Sequence, residues 1–263
     1  MNLQLQDKVI MIAASSRGLG YGIAEAVARE GARLSLGSRS AGAIQGAAAG
    51  IQQEFNTEAR GYVLDAKEAK SIQNWIDSTL KDFGRIDGLV INAGGPPPGN
   101  FDKFDDNAWA DAFELTLMSA VRMVRGVLPA MRKQRSGSIL AITSSSIKEP
   151  IDNLILSNVL RSGVASLLKS LSFELAPDGI RVNNLVPGRI DTDRVRSVDK
   201  LNADKKGIPV EEQQRQQWGA IPLGRYGTIQ ETGNAAAFLL SDAASYITGT
   251  TIVVDGGKTR SIN

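Results

Sequence analysis

Short apolar runs alternate with longer segments of helical periodicity along most of the chain, and this alternation constrains the fold more than any other feature. The apolar runs are mostly continuous, as is typical of parallel strands that helices cover on both faces. Strand–helix succession of this kind predicts an α/β fold, a doubly wound parallel sheet with right-handed crossovers. The predicted strands are Val9–Ala14, Arg33–Ser38, Gly61–Leu64, Leu89–Asn92, Ser138–Ser144 and Arg181–Val186.

The chain shows no interdomain linker and no internal repeat, so its 263 residues are predicted to form one domain. A first helix is predicted over Leu19–Arg29, and long helices over 106–132 and 153–175. One stretch, Asp193–Trp218, reads as irregular and is rich in charge and glutamine. We interpret it either as a mobile flap over a site or as a surface insertion.

Cysteine and histidine are both absent from the sequence. The first absence excludes disulfides, thiolate nucleophiles and cysteine-bound metals, and the second removes the commonest general base and metal ligand. Proton transfer must therefore use Asp, Glu, Lys, Tyr, a cofactor or water, and no metal site is predicted. The net charge of +2 provides no argument for nucleic-acid binding, which needs a concentrated basic face.

The amino terminus does not have the pattern of a secretory signal, because the apolar run after Asp7-Lys8 is short. No segment approaches the roughly 20 apolar residues that a membrane span needs. We therefore expect a cytoplasmic protein with no membrane partner.

A glycine-rich turn, Ser15-Ser16-Arg17-Gly18-Leu19-Gly20, joins the first predicted strand to the first predicted helix. Glycines at such a turn let the backbone approach a pyrophosphate, and the helix start offers free N–H groups and the positive end of its dipole. This placement predicts a Rossmann-type dinucleotide site, although glycine pairs also serve plain turns.

The end of the second strand indicates which dinucleotide binds. NAD-binding proteins carry an acidic residue about 20 positions after the glycines, where it contacts the ribose 2′-OH. Here the strand ends in Ser38 and Arg39, with no acid. These two residues, with Arg17, could bind a 2′-phosphate, and the alternative is that both arginines are solvated surface residues. The pattern favours NADP(H).

These motifs resemble those of the short-chain dehydrogenase/reductase family, and the resemblance extends over essentially the whole chain. Ala13 and Ala14 stand where the family's glycine-rich motif has Thr and its first Gly. The chain looks most like the 3-oxoacyl-thioester reductase and glucose dehydrogenase types. By resemblance the cofactor would also be contacted by Asp65 with Ala66, by Asn92-Ala93-Gly94, and by Pro187, Gly188, Ile190 and Thr192. Further family-like signatures are Pro222-Leu223-Gly224-Arg225, Ser245-Tyr246-Ile247-Thr248-Gly249 and Val254-Asp255-Gly256-Gly257.

The catalytic positions depart from the family pattern of Asn, Ser, Tyr and Lys. The resemblance places Ser144 at the Ser position, Thr116 at the Asn position, Ser157 at the Tyr position and Arg161 at the Lys position. In the family the Tyr exchanges a proton with the substrate oxygen, and the Lys lowers its pKa and holds the nicotinamide ribose. A serine hydroxyl is a far weaker acid, and arginine stays protonated although it could still hold ribose hydroxyls. Losing a placed general acid costs on the order of 10² to 10⁴ in rate.

Two loops near this relay have open interpretations. Lys148 or Glu149 could supply a replacement acid, or the pair could be a solvated turn before Pro150. The segment Gly95-Pro96-Pro97-Pro98-Gly99 could shape a substrate wall or only stiffen its loop.

Three functions compete. The first is an NADP(H)-dependent oxidoreductase acting on a carbonyl/alcohol pair of a small-molecule substrate, with an altered proton relay. The second is a non-catalytic NADP(H)-binding sensor or partner subunit. The third is a halohydrin dehalogenase, and the sequence disfavours it because those relatives keep the Tyr and lose the glycine-rich loop. The family resemblance also implies a homotetramer or homodimer built on the two long helices.

Overall fold

The computed structural model describes residues 2–262. Its seven strands are β1 (Val9–Ala13), β2 (Arg33–Ser38), β3 (Ala59–Val63), β4 (Gly88–Ile91), β5 (Gly137–Ile142), β6 (Ile180–Pro187) and β7 (Thr251–Val254). Its α-helices are α1 (Gly18–Arg29), α2 (Ala41–Phe55), α3 (Ala69–Phe83), α4 (Asp106–Phe113), α5 (Ser119–Gln134), α6 (Ile155–Glu174), α7 (Asp193–Lys206), α8 (Val210–Gly219) and α9 (Ile229–Leu240). All strands are parallel in the order β3-β2-β1-β4-β5-β6-β7. The predicted doubly wound parallel sheet is confirmed.

Two apolar cores lie on opposite faces of the sheet, because successive strand residues point to opposite faces. Ile10 and Ile12 of β1 join the core under α1, α2 and α9, whereas Met11 and Ala13 join the core under α3, α5 and α6. Every residue of β1 is therefore buried. This explains why the strand reads as a continuous apolar run.

The strand order reverses beside β1, which pairs with β2 on one side and with β4 on the other. In open parallel sheets such a reversal leaves a crevice at the carboxyl ends of the strands, where ligands bind. The fold thus directs the turns after β1, β4 and β5 to one edge of the sheet.

The long helix predicted over 106–132 is interrupted. A π-helical turn, Glu114–Met118, separates α4 from α5. The Ser119 hydroxyl donates to the carbonyl of Leu115 at 2.6 Å, a local bond that competes with the regular helical pattern. Isolated π turns within helices are frequent at functional sites.

The prediction that 193–218 is irregular is wrong, because the segment forms α7 and α8. Thr192 caps α7 by accepting from the amide of Val195, and Gly207 ends it in the left-handed conformation. The buried faces of the two helices include the polar residues Asp199 and Gln213. A polar inner face lacks the apolar stripe that identifies a helix in sequence.

The remaining differences between the predicted and the observed elements concern two strands. β7 was not predicted as a strand, because it has four residues at the sheet edge and none of them is fully buried. β3 begins at Ala59, two residues earlier than predicted.

Among residues 2–262, every helix is too short or too polar to span a bilayer.

Candidate active site

The glycine-rich turn after β1 is tightly constrained. Ala14 has a φ of +50°, in the left-handed region that favours glycine, and Gly18 at the start of α1 has a φ of +62°. A Cβ on Gly20 would lie 2.4 Å from the carbonyl oxygen of Ala14, so this position requires glycine. Ser15 holds the turn in place, because its hydroxyl donates to Ile12 and its amide to Gly37.

The amino terminus of α1 has no side-chain cap. Arg17 occupies the cap position without a capping hydrogen bond, and the first turn contains no acid. By contrast, Ser40, Thr192 and Thr228 cap α2, α7 and α9. The first N–H groups of α1 therefore remain available to an anion, with the positive end of the helix dipole behind them.

A cavity of about 430 Å³ opens at the carboxyl edge of β1, β4 and β5. Eight of the predicted cofactor residues line it: Arg17, Gly18, Leu19, Asn92, Ala93, Gly94, Arg161 and Thr192. The other predicted cofactor residues lie outside its lining, namely Ser15, Ser16, Gly20, Ser38, Arg39, Asp65, Ala66, Pro187, Gly188 and Ile190. A second cavity, of about 420 Å³ and lined by Lys8, Asp87 and Arg181, contains none of the predicted site residues.

Arg161 lies at the base of the first cavity, on α6. Its Nη1 donates to the carbonyl oxygens of Ile142 at 3.0 Å and Thr143 at 3.1 Å, where β5 ends. Burial, and secondly the positive charge of Arg194, lowers the pKa of Arg161 to about 10. The guanidinium therefore stays protonated at neutral pH and its remaining donors can bind a ligand.

Two serines lie near Arg161: Ser157 is on the same helix, and Ser144 follows Thr143, whose carbonyl accepts from Arg161. Ser157 lies one helical turn before Arg161 on α6 and is buried, and its hydroxyl makes no hydrogen bond to any residue within 2–262. Ser144 follows β5 and its Oγ accepts from the amide of Ser146 at the start of a 3₁₀ turn. Neither serine is part of the cavity lining.

Thr116 lies inside the π-helical turn between α4 and α5. Its Oγ1 is buried and has no hydrogen-bond partner among the described residues. The next residue, Leu117, packs on Gly163 of α6, where a Cβ would come within 3.3 Å of it. Since α6 also packs against the 3₁₀ turn after Ser144, the four predicted catalytic positions lie on three elements that meet.

The side chains predicted to select the 2′-phosphate make no hydrogen bond with one another among residues 2–262. Ser38 is buried and its hydroxyl donates to the carbonyl of Ser40 at 3.5 Å, whereas Arg39 is exposed. Arg17 points toward α7, where its Nη1 lies 3.9 Å from a carboxylate oxygen of Asp193. This exposed pair is weak.

The sequence analysis missed Asp193 and Arg194, which line the cavity from the first turn of α7. A signal was present, because Thr followed by Asp is typical of a helix start. Neither predicted replacement acid lines this cavity: Lys148 lines another one with Lys169. Glu149 accepts from the amide of Arg260.

Comparison with known proteins gives a match over nearly the full length. A family model described as enoyl-(acyl carrier protein) reductase matches residues 13–259. The 3-oxoacyl-[acyl-carrier-protein] reductase FabG of Escherichia coli K12 is 33% identical over 257 residues, covering 97% of this chain and 98% of the relative.

Two solved structures are informative. L-sorbose reductase from Gluconobacter frateurii, complexed with NADPH and L-sorbose, superposes with a TM-score of 0.96 at 29% identity and covers all of both chains. An NADPH-bound short-chain oxidoreductase from Pseudomonas aeruginosa PAO1 with an atypical catalytic center gives a TM-score of 0.88 at 27% identity, covering 97% of this chain and 99% of the other.

The family model and the FabG relative span the glycine-rich turn, the cavity and the positions predicted to form the relay. The parallel sheet with its cavity at the crevice beside β1 has the same architecture as the solved oxidoreductases. This chain belongs to the short-chain dehydrogenase/reductase family of oxidoreductases.

Proposed function

We propose that this protein is an NADP(H)-dependent oxidoreductase that interconverts a carbonyl and an alcohol on a small molecule, with an altered proton relay. One observation carries the proposal: a single cavity brings together the glycine-rich turn, the Asn92-Ala93-Gly94 turn and the buried guanidinium of Arg161. The named activities of the FabG and L-sorbose reductase relatives support a carbonyl substrate.

The residues of the cavity fit a dinucleotide. A Cβ on Gly94 would meet no atom within 4 Å, so the backbone there borders open space. The uncapped start of α1 offers N–H groups to a diphosphate at the same cavity. When bound, a nicotinamide dinucleotide supplies or accepts the hydride.

The residues at the end of β2 support the proposed preference for NADP(H) over NAD(H). Ser38 is the last residue of the strand, and the exposed Arg39 follows it. The acidic residue that binds the ribose 2′-OH in NAD-binding proteins is absent here. A guanidinium can donate two parallel N–H bonds to the oxygens of a 2′-phosphate.

Each relay residue has a proposed role. The Nε and Nη2 donors of Arg161, free of hydrogen bonds to other residues in 2–262, would hold ribose hydroxyls. Ser144 would orient the substrate oxygen, and the buried Ser157 hydroxyl would face it from α6. Because Arg161 keeps its proton, it fixes geometry and charge but does not pass protons. Thr116 would take the Asn position in the π-helical turn.

The cofactor assignment is tested with Arg39→Asp. Titration of NADPH and NADH by fluorescence should show at least a tenfold loss of NADPH affinity with NADH affinity maintained. Lys81→Asp makes the same charge change at an exposed position on α3 and should leave both affinities unchanged. Equal NADPH affinity in the Arg39→Asp and wild-type proteins would show that the 2′-phosphate is not bound there.

The chemistry is tested with NADPH and a panel of ketones, 3-oxoacyl thioesters, quinones and sugars. The oxidoreductase proposal is supported if the wild type turns over any of these carbonyls and the rate falls at least tenfold in Ser144→Ala. The double variant Ser157→Tyr with Arg161→Lys restores the family pair. A gain in its rate on the same substrate would show that the native relay lacks a placed acid.

A non-catalytic NADP(H)-binding role is the second candidate. The observation that favours it is that the predicted relay offers only the hydroxyls of Thr116, Ser144 and Ser157 beside a permanently charged Arg161. Tight NADPH binding without turnover on the whole panel, and activity in the double variant alone, would establish this role.

We also propose a homotetramer or homodimer through the long helices. Phe113 at the end of α4 and Val159 on α6 are exposed, 40% and 48% respectively, on the helices that the family resemblance assigns to the interface. Sedimentation velocity tests this, and Val159→Glu should shift the protein toward the monomer.

A further inference from the structure

Arg194, in the first turn of α7, lines the cavity and reaches the loop that follows β4. A Cβ built on Gly95 would lie 2.8 Å from both Nη1 and Nη2 of Arg194. The guanidinium therefore packs directly on the Gly95 backbone, in space that any larger residue at 95 would occupy. Helix α7 thus contacts the far side of the cavity as well as the glycine-rich turn, where Asp193 lies beside Arg17.

Arg194 and Arg161 are close enough to influence each other. The charge of Arg194 is the second cause, after burial, of the lowered pKa of Arg161. The guanidinium of Arg194 makes no hydrogen bond and no ion pair with any residue described between 2 and 262, and the guanidinium of Arg161 donates only to uncharged carbonyls. Two guanidiniums thus face one cavity with no carboxylate between them.

The charge of the cavity lining is unbalanced. Its charged residues are Arg17, Arg161, Arg194 and one acid, Asp193, which lies beside Arg17. The lining therefore has an excess of two positive charges. Like charges that share one cavity raise the free energy of the empty site, and an anion bound between them lowers it.

We propose that Arg194 and Arg161 form a two-guanidinium anion site in this cavity. The site takes an anionic oxygen group, which is either the diphosphate of the dinucleotide or an acidic group of the carbonyl substrate. The guanidinium of Arg194 suits both, because it can donate two parallel N–H bonds to phosphate or carboxylate oxygens. Arg161 contributes its positive charge to the same site, while its Nε and Nη2 donors hold ribose hydroxyls. The inference rests on the proposed function only in naming these two sources.

The test is Arg194→Gln, which removes the charge and keeps much of the side chain. Binding is measured by calorimetry with NADPH, 2′-phospho-ADP-ribose, 2′,5′-ADP and inorganic pyrophosphate. If the anion is the cofactor diphosphate, the variant loses at least tenfold in affinity for NADPH, 2′-phospho-ADP-ribose and pyrophosphate, and loses less for 2′,5′-ADP, whose 5′-phosphate is only one of the two phosphates of the diphosphate. Arg194→Lys should recover part of the loss.

The second arm measures an acidic substrate group. If the substrate supplies the anion, cofactor affinities stay unchanged. Arg194→Gln then weakens the binding of a 2-oxo or 3-oxo acid to the NADP⁺ complex at least tenfold relative to the binding of the uncharged methyl ester of that acid. Lys200→Gln is the matched control, because Lys200 is exposed on the same helix and does not line the cavity.

Unchanged binding of all these probes in Arg194→Gln would overturn the anion site. Failure of the proposed function has a different signature. In that case the wild-type protein would bind neither NADPH nor 2′,5′-ADP, while pyrophosphate binding that depends on Arg194 would still support the site.

Discussion

The hydroxyl of Tyr226 donates a 2.7 Å hydrogen bond to Oδ2 of Asp199, an aspartate of α7 whose side chain is completely buried. Arg189 forms an ion pair with the other carboxylate oxygen, and its guanidinium lies 5.3 Å from the centre of the Tyr226 ring. These three residues, the Asp199 cluster, attach α7 to the loops after β6 and α8. The cluster thereby helps to place Arg194 at the cavity.

Replacing Asp199 with Ala should destabilise the protein strongly, because Arg189 would be left as a largely buried charge without its partner. Breaking a buried pair in this way costs about 3–5 kcal/mol. Urea unfolding measures the loss, and hydrogen exchange should show faster exchange in 193–206. Asp204→Ala, an exposed aspartate on the same helix, should change the free energy of unfolding by no more than about 0.5 kcal/mol. Similar losses in the two variants would contradict the anchoring role.

Alkaline pH should weaken the same cluster. Burial, and secondly the hydrogen bond to Asp199, raises the pKa of Tyr226 to about 12. The fold therefore favours the protonated phenol, and its stabilisation is complete below the ordinary tyrosine pKa of about 10 and lost as the pH rises toward 12.

The measurement is urea unfolding of the wild type and Tyr226→Phe at several pH values from 8 to 11.5. The stability difference between the two should shrink above pH 10. Tyr246→Phe, at a fully exposed tyrosine, should show no such trend relative to wild type. A wild-type advantage over Tyr226→Phe that is independent of pH would be inconsistent with this assignment.

Ala14 is strained, and Ala14→Gly should therefore stabilise the protein. The left-handed conformation costs a residue with a Cβ about 1–2 kcal/mol, and the greater freedom of glycine in the unfolded chain returns about 0.4–1 kcal/mol of that. The expected net gain in urea unfolding is about 0.5–1 kcal/mol. Ala13→Gly, one residue earlier in buried β1, should lower stability instead. A loss in both variants would show that Ala14 is not strained.

Gly20→Ala should damage the proposed nucleotide site, because the new Cβ would overlap the carbonyl of Ala14. The turn must shift, so NADPH affinity should fall at least tenfold. Gly42→Ala on α2 is the matched substitution, since its Cβ would meet nothing within 4 Å. That variant should bind NADPH normally and unfold with up to about 1 kcal/mol more stability. Normal NADPH binding by Gly20→Ala would contradict the close approach of the turn.

Several parts of the molecule could be predicted from sequence because their signals are local. The apolar runs predicted six of the seven strands. For the strands inside the sheet the reason is that a strand covered on both faces has no polar side, whereas β3 lies at the edge and is only partly buried. The glycine-rich turn between β1 and α1 identified the cavity edge at Arg17, Gly18 and Leu19. The missed elements lack such signals: β7 is a short edge strand, and α7 and α8 bury polar residues.

The sequence by itself determined the first six strands and the glycine-rich turn between β1 and α1, and it predicts unusual residues at the relay positions, because each of these depends on neighbours along the chain. Only the tertiary structure decided that Arg194 lies against Gly95, that Asp193 lies beside Arg17 and that Asp199 is buried with Tyr226. Such contacts join distant segments whose meeting depends on how α7 packs on the sheet edge. No periodicity or spacing in either segment specifies that packing, which follows from the whole fold.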